Sequence, residues 1–152
     1  MEVIYCCYAG SHTSVTAAGI HLGLLPTTER PSPSAILSLP NFDRGSARRL
    51  GRVQRLGEDE YGNNVYVAGL GPNRAVTLTA LRLVLAASHV KQDDLCIVDA
   101  LSCISFWVRI GGFLSRGCDC VWLGRPLCVW GILAQYECYV RLVSEVKAIC
   151  RT

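Results

Sequence analysis

The sequence predicts an α/β fold, a three-layer sandwich built on a mainly parallel sheet with an antiparallel hairpin and a P-loop-like strand-loop-helix unit at the N-terminus. Three observations predict it. Short apolar runs at Val3–Tyr8, Leu95–Val98 and Cys120–Leu123 are each followed by a helical pattern, as strands buried on both faces of a parallel sheet would be. Two β-prone runs, Arg52–Leu56 and Val65–Ala68, flank a turn rich in Asp, Gly and Asn, which is hairpin chemistry. The first apolar run stops at Ala9-Gly10, and small and hydroxyl residues follow before Val15 opens a helical pattern.

That first junction is where chemistry is expected. The N–H groups left unpaired in a helix's first turn, with the positive end of its dipole, form an anion site. Gly10 permits a tight or left-handed turn, Ser11, Thr13 and Ser14 offer hydroxyls, and His12 can donate to an anion or act as acid or base near neutral pH. The expected pocket therefore binds phosphate, as a phosphate-containing small molecule or a nucleotide. His21, in mid-helix, reads as a packed or half-exposed histidine.

Next, residues 26–51 are rich in Pro, Ser and Arg, with an apolar knot at Ala35-Ile36-Leu37, and read as a long loop or lid carrying one helical turn. Arg44, Arg48, Arg49, Arg52 and Arg55 form a basic cluster there, either a phosphate-facing surface or a solvated one. Asp59-Glu60 reads as a solvated hairpin turn. Beyond Gly71-Pro72-Asn73, Ala75–Ser88 reads as a helix on the sheet, and the strand Leu95–Val98 ends at Asp99. A helix over Ile104–Arg116 stops at Gly117, with Gly111-Gly112 inside it implying close backbone packing. The strand Cys120–Leu123 closes at Gly124-Arg125-Pro126, and a last helix runs over Leu133–Cys150. Trp107, Trp122 and Trp130 are expected in the core.

In parallel sheets ligands bind beyond the carboxyl ends of the strands, so three loops should meet at one edge: Ala9–Ser14, Asp99–Ser102 and Gly124–Pro126. Asp99, Arg116 and Arg125 thereby join the candidate ligand-binding residues Gly10, Ser11, Thr13 and Ser14. The bland alternative has Thr13 or Ser14 capping the helix and Arg125 paired with Asp99.

Composition bounds these readings. The chain has 152 residues, 51% apolar and 18% charged, the size of a single α/β domain over 1–152. No stretch approaches the ~18 apolar residues of a membrane span, and no basic segment precedes the first apolar run, so a cytoplasmic protein without a membrane partner is expected. The nine cysteines are an odd count without a C-x-x-C pair, and are read as mostly reduced, buried thiols with no metal site. No nucleic-acid-binding module is recognisable, so no nucleic-acid partner is expected.

At IYCCYAGSHTSV, AAGIHLGLLP, GEDEYGNNVYV, IGGFLSRG and LGRP the chain closely resembles domain-of-unknown-function family 3189, an uncharacterised bacterial family associated with spore-forming bacteria. Tyr8, Gly10, His12, Ser14 and His21 fall at its motif positions, as do residues 112–116 and 124–126. Ala9 and Cys6 stand where many members carry Gly and His. The resemblance implies no activity and no cofactor.

Two chemical templates remain for the loop. Against the nucleotide-binding pattern G-x-x-x-x-G-K-[ST], Thr13 matches the hydroxyl position, but His12 replaces the lysine and Ser11 and Cys6 the glycines. A working NTPase is disfavoured against a degenerate P-loop-like protein. Against the phosphatase pattern C-x5-R, Cys7 has Thr13 at the arginine position. Thiol catalysis with Cys7 and His12 would then need Arg125 or Arg116 for the charge. Whether the protein is an enzyme stays open, and a non-enzymatic regulatory or scaffold protein is the competing class.

Overall fold

The computed structural model describes residues 1–43, 51–118 and 120–151, with the side chain of Arg116 outside the described ones. Four strands form one sheet in the order β2-β3-β1-β4: β1 (Glu2–Cys7), β2 (Val53–Glu58), β3 (Asn64–Gly69) and β4 (Leu95–Asp99). β1 lies parallel to both β3 and β4, and β2 pairs antiparallel with β3 as the predicted hairpin. Among the described residues the α-helices are α1 (Thr13–His21), α2 (Pro33–Leu37), α3 (Arg74–Ala87), α4 (Phe106–Gly117), α5 (Val121–Ala134) and α6 (Tyr136–Cys150).

Alternation along β1 divides the core. Val3 and Tyr5 point toward α1 and α6, where Val15, Ile20, Tyr139 and Val143 complete the larger cluster. Ile4 and Cys6 point to the other face, where Ala68, Leu70 and Leu85 of α3 meet them. The connection after α1 is tied down over its described part: Ile36, Leu39 and Phe42 are buried, and the Tyr136 hydroxyl donates to the Pro26 carbonyl at 2.6 Å. Ser32 caps α2 by accepting from the Ala35 amide.

The predicted strand at 120–123 is overturned. Cys120 is the N-cap of α5 and residues 121–123 are its first turn, so among the described residues this run adds no strand to the sheet. Four apolar residues carry no period that separates strand from helix, and packing decides. α4 and α5 approach backbone to backbone: a Cβ on Gly111 would lie 2.6 Å from the Gly124 carbonyl oxygen, and one on Gly124 would lie 2.5 Å from the Ser115 nitrogen. Gly111 thus explains the predicted close approach, and Pro126 is carried inside α5.

The tryptophans are a second correction. Trp107, Trp122 and Trp130 are 41%, 78% and 54% exposed, on the outer side of the α4–α5 pair rather than in the core. The inner side is filled by glycine, Ser115 and Cys128, leaving the large rings outward. Among the cysteines, Cys103 and Cys138 form a disulfide between the turn after β4 and α6, and seven others are free thiols, four of them buried. No helix among the described residues is long and apolar enough to cross a membrane.

Candidate functional site

β1 delivers Cys7 to the carboxyl edge of the sheet, and the chain must then reverse into α1. Gly10 makes the reversal at φ +70°, a left-handed conformation, and a Cβ there would lie 2.8 Å from the Gly69 nitrogen. Both conditions demand glycine. The folded-back Gly10 amide donates to the Cys7 sulfur at 3.0 Å, and the Ser14 hydroxyl lies 3.1 Å from the same sulfur.

α1 begins at Thr13, earlier than expected, with His12 as its N-cap residue. The His12 side chain makes no capping bond. Ser11, Thr13 and Ser14 are buried, and the hydroxyls of Ser11 and Thr13 have no hydrogen-bond partner among the described residues. The capping role weighed for Thr13 or Ser14 is therefore not seen. Thr16 does satisfy a local group, donating its hydroxyl to the His12 carbonyl at 3.0 Å.

The His12 imidazole is turned toward Asp43. Its Nε2 lies 3.0 Å from Asp43 Oδ1, its ring stands edge-on to Phe42, and Gly112 of α4 lies alongside it. Asp43 is itself held in a left-handed conformation, φ +49°, with its amide donating to the Ser11 carbonyl at 2.9 Å. Its buried carboxylate also accepts from the Ser115 hydroxyl at 2.7 Å and from Arg125 Nε at 2.9 Å. Burial alone would raise the Asp43 carboxyl, but the bonds from His12, Arg125 and Ser115 more than offset it and hold it below the usual carboxylate range. Because the carboxylate can only accept, His12 Nε2 is the donor of the pair.

Of the expected site residues, Cys7, Gly10, Ser11, His12, Thr13 and Ser14 share the loop, and Arg125 is joined to it through Asp43. Arg125 arrives from within α5 and not from a loop after a strand. Asp99 is engaged elsewhere: it pairs with Arg74 and accepts from the Leu101 amide, so the Arg125–Asp99 pair is not formed. The Arg116 side chain, like Arg44, Arg48 and Arg49, lies outside what is described. Arg55 bonds Asn64 and Glu58 on the exposed side of the hairpin.

Two residues central to this network, Asp43 and Ser115, did not stand out as candidates. A clue to Asp43 was available in Asn41-Phe42-Asp43, since Asn and Asp are the non-glycine residues most at home at positive φ. Ser115 sits four residues after Gly111 on the glycine face of α4, so a small residue was readable but its hydroxyl's partner was not.

At the other end of α1, His21 is fully buried. Its Nε2 is 2.9 Å from Asp59 Oδ2, and its Nδ1 is 2.8 Å from the Tyr5 hydroxyl. Asp59, expected to be solvated, is instead buried and accepts from the amides of Tyr61 and Asn63 and from the Asn63 side chain. The N-terminal ammonium donates to Asn63 in turn. Burial lowers the His21 pKa against the opposing pull of Asp59, so the ring is neutral, donating to Asp59 and accepting from Tyr5.

Among the described residues no three His, Cys, Asp or Glu side chains are grouped to hold a metal ion. The fold and loop define a mixed α/β protein with an open four-stranded sheet and a strand-loop-helix junction at its edge. The chain belongs to the family described as protein of unknown function (DUF3189), whose model matches residues 2–148. No curated protein and no solved structure matches it.

Proposed function

We propose that residues 10–14 and the N-terminus of α1 form an oxyanion pocket for a phosphate-bearing small molecule or nucleotide, within a degenerate P-loop-like unit. One observation carries the reading: two buried hydroxyls, Ser11 and Thr13, have no partner among the described residues at a helix start that no side chain caps. Buried polar groups are nearly always satisfied, and an oxyanion accepts from hydroxyls and first-turn amides together. Arg125 supplies donors beside the loop, with Asp43 fixing its guanidinium and orienting His12. The loop has no lysine to reach a nucleotide's outer phosphates, which argues for binding over NTP hydrolysis.

A second reading rests on Cys7. Its sulfur accepts from the Gly10 amide and faces the Ser14 hydroxyl at the N-terminal end of a helix, within the loop that would hold a substrate. That arrangement supports thiol-dependent phosphoryl chemistry, with Arg125 providing the charge that Thr13 lacks. A non-enzymatic scaffold remains the contrasting class.

Calorimetry with inorganic phosphate tests the pocket. Wild type is expected to bind, and Arg125→Ala to lose about tenfold or more in affinity, the worth of a charge-assisted hydrogen bond. Absence of binding, or equal binding in wild type, His12→Ala and Arg125→Ala, overturns it.

A further inference from the structure

Arg125 has two neighbourhoods. Its Nε faces the Asp43 carboxylate, and the same residue lines a groove of about 410 Å³ between α2 and α5. The groove is walled by Pro33 and Leu37 from α2 and by Trp122, Pro126, Val129 and Trp130 from α5, and Arg125 is the one charged residue lining it among the described residues. That volume falls within the range of small-molecule sites, which are mostly apolar with a few polar groups that fix orientation. The guanidinium has five N–H donors, and the described residues occupy only the one on Nε.

The exposed tryptophans acquire a purpose here. Trp122 and Trp130 leave more than half of their surface uncovered while flanking the groove, and Trp130 is braced edge-on by Trp107 at 4.9 Å. Large rings held at the rim of a concave apolar surface offer a flat body much contact area at little entropic cost.

We infer that this groove receives the apolar body of an amphiphilic anion, a flat aromatic group bearing a phosphate-like headgroup that is held at Arg125. The inference rests on the oxyanion reading for the headgroup and adds the class of the remainder. A dianion on a ring satisfies both sides of Arg125: its oxygens take the free N–H groups, and its ring covers Trp122 and Trp130. A purely inorganic anion would leave the groove empty, and a neutral apolar molecule would make no use of the guanidinium's remaining N–H groups.

The test compares phenylphosphonate, methylphosphonate and inorganic phosphate on the full chain, by calorimetry and tryptophan fluorescence. Neither phosphonate offers a phosphoester bond to cleave, so binding is read alone. Phenylphosphonate is expected to bind about tenfold tighter than methylphosphonate and to change the tryptophan emission. Trp122→Ala should remove that preference while leaving methylphosphonate affinity unchanged, and Leu37→Ala, from the opposite wall, should do the same if Trp122→Ala does not fold. Equal affinities for the two phosphonates overturn the groove and leave the oxyanion pocket standing. Failure of all three probes to bind overturns both. Phenylphosphonate binding that survives Arg125→Ala undiminished overturns the headgroup assignment. Sedimentation showing a dimer that Trp122→Ala dissolves would assign the groove to a second copy of the chain, and overturn the inference.

Discussion

α1 carries a histidine–aspartate pair at each end, and the two differ in how completely they are closed. At the C-terminal end, His21 has both ring nitrogens engaged, and Asp59 gathers two amides and the Asn63 side chain besides the imidazole. At the N-terminal end, His12 has only Nε2 bonded, its Nδ1 has no hydrogen bond among the described residues, and two unpartnered hydroxyls lie in the same loop. A network with every donor and acceptor matched rigidifies its surroundings, here pinning the hairpin turn to β1 and α1. One with donors to spare can take a ligand. The comparison teaches that burial alone does not separate an open network from a closed one, because both histidines are buried and His21 is the more so.

The largest way to break the comparison is to remove each imidazole in turn. His21→Ala takes the ring from a carboxylate with no exposed side-chain surface, and is expected to cost about 3–5 kcal/mol, for the cavity left by a fully buried ring and the hydrogen bonds lost by Asp59 and Tyr5. His12→Ala leaves Asp43 with Ser115 and Arg125, so the expected loss is about 1–2 kcal/mol. Urea unfolding of both variants measures the difference. Equal losses would mean that the N-terminal pair is as structural as the other.

Acid sharpens the same contrast. Burial lowers the folded-state pKa of His21 below its unfolded value of 6.5, so the unfolded chain binds the proton more readily. Stability contributed by the neutral ring is therefore complete above pH 6.5 and declines as pH falls through that value. The carboxyls of Asp43 and Asp59 are likewise depressed, so their contribution is present above about pH 4 and lost below it. Melting temperatures from pH 8 to pH 3 should fall in two stages. His21→Gln should abolish the upper stage and keep the lower, and an upper stage that persists in that variant would assign it to another group.

How much of this was legible follows from what each signal can carry. The hairpin, β1, β4 and the strand-loop-helix junction were readable because their apolar runs are bounded by turn chemistry, and a run with clear ends needs no partner to be recognised. The 120–123 run misled because its fate depends on Gly124 fitting against Gly111 and Ser115, contacts made across the helix pair. His12 and Arg125 were singled out, whereas Asp43, which joins them, was not. A carboxylate in a long connection looks the same whether solvent or side-chain donors surround it, and only the folding of residues 26–43 onto the core decides. Asp59 shows the same blindness: Asp-Glu in a turn reads as exposed, yet one of the two faces inward onto α1 while Glu60 reaches Lys147 at the surface.

The smallest expected effect separates a satisfied hydroxyl from an unsatisfied one within the N-terminal part of α1. Thr13 and Thr16 are both buried in the helix that His12 opens, but the Thr16 hydroxyl donates to the His12 carbonyl and the Thr13 hydroxyl has no partner among the described residues. Replacement by valine keeps the branched shape and removes the hydroxyl. Thr16→Val forfeits a hydrogen bond and is expected to lose about 1 kcal/mol. Thr13→Val removes a polar group that burial has cost its water, so it should leave stability unchanged or raise it by up to about 1 kcal/mol. If the hydroxyl is kept for an oxyanion, the same variant should bind inorganic phosphate several-fold more weakly, gaining stability while losing affinity. A Thr13→Val protein less stable than Thr16→Val would instead make the hydroxyl part of the scaffold, and the N-terminal end of α1 would be as closed as the end that holds His21.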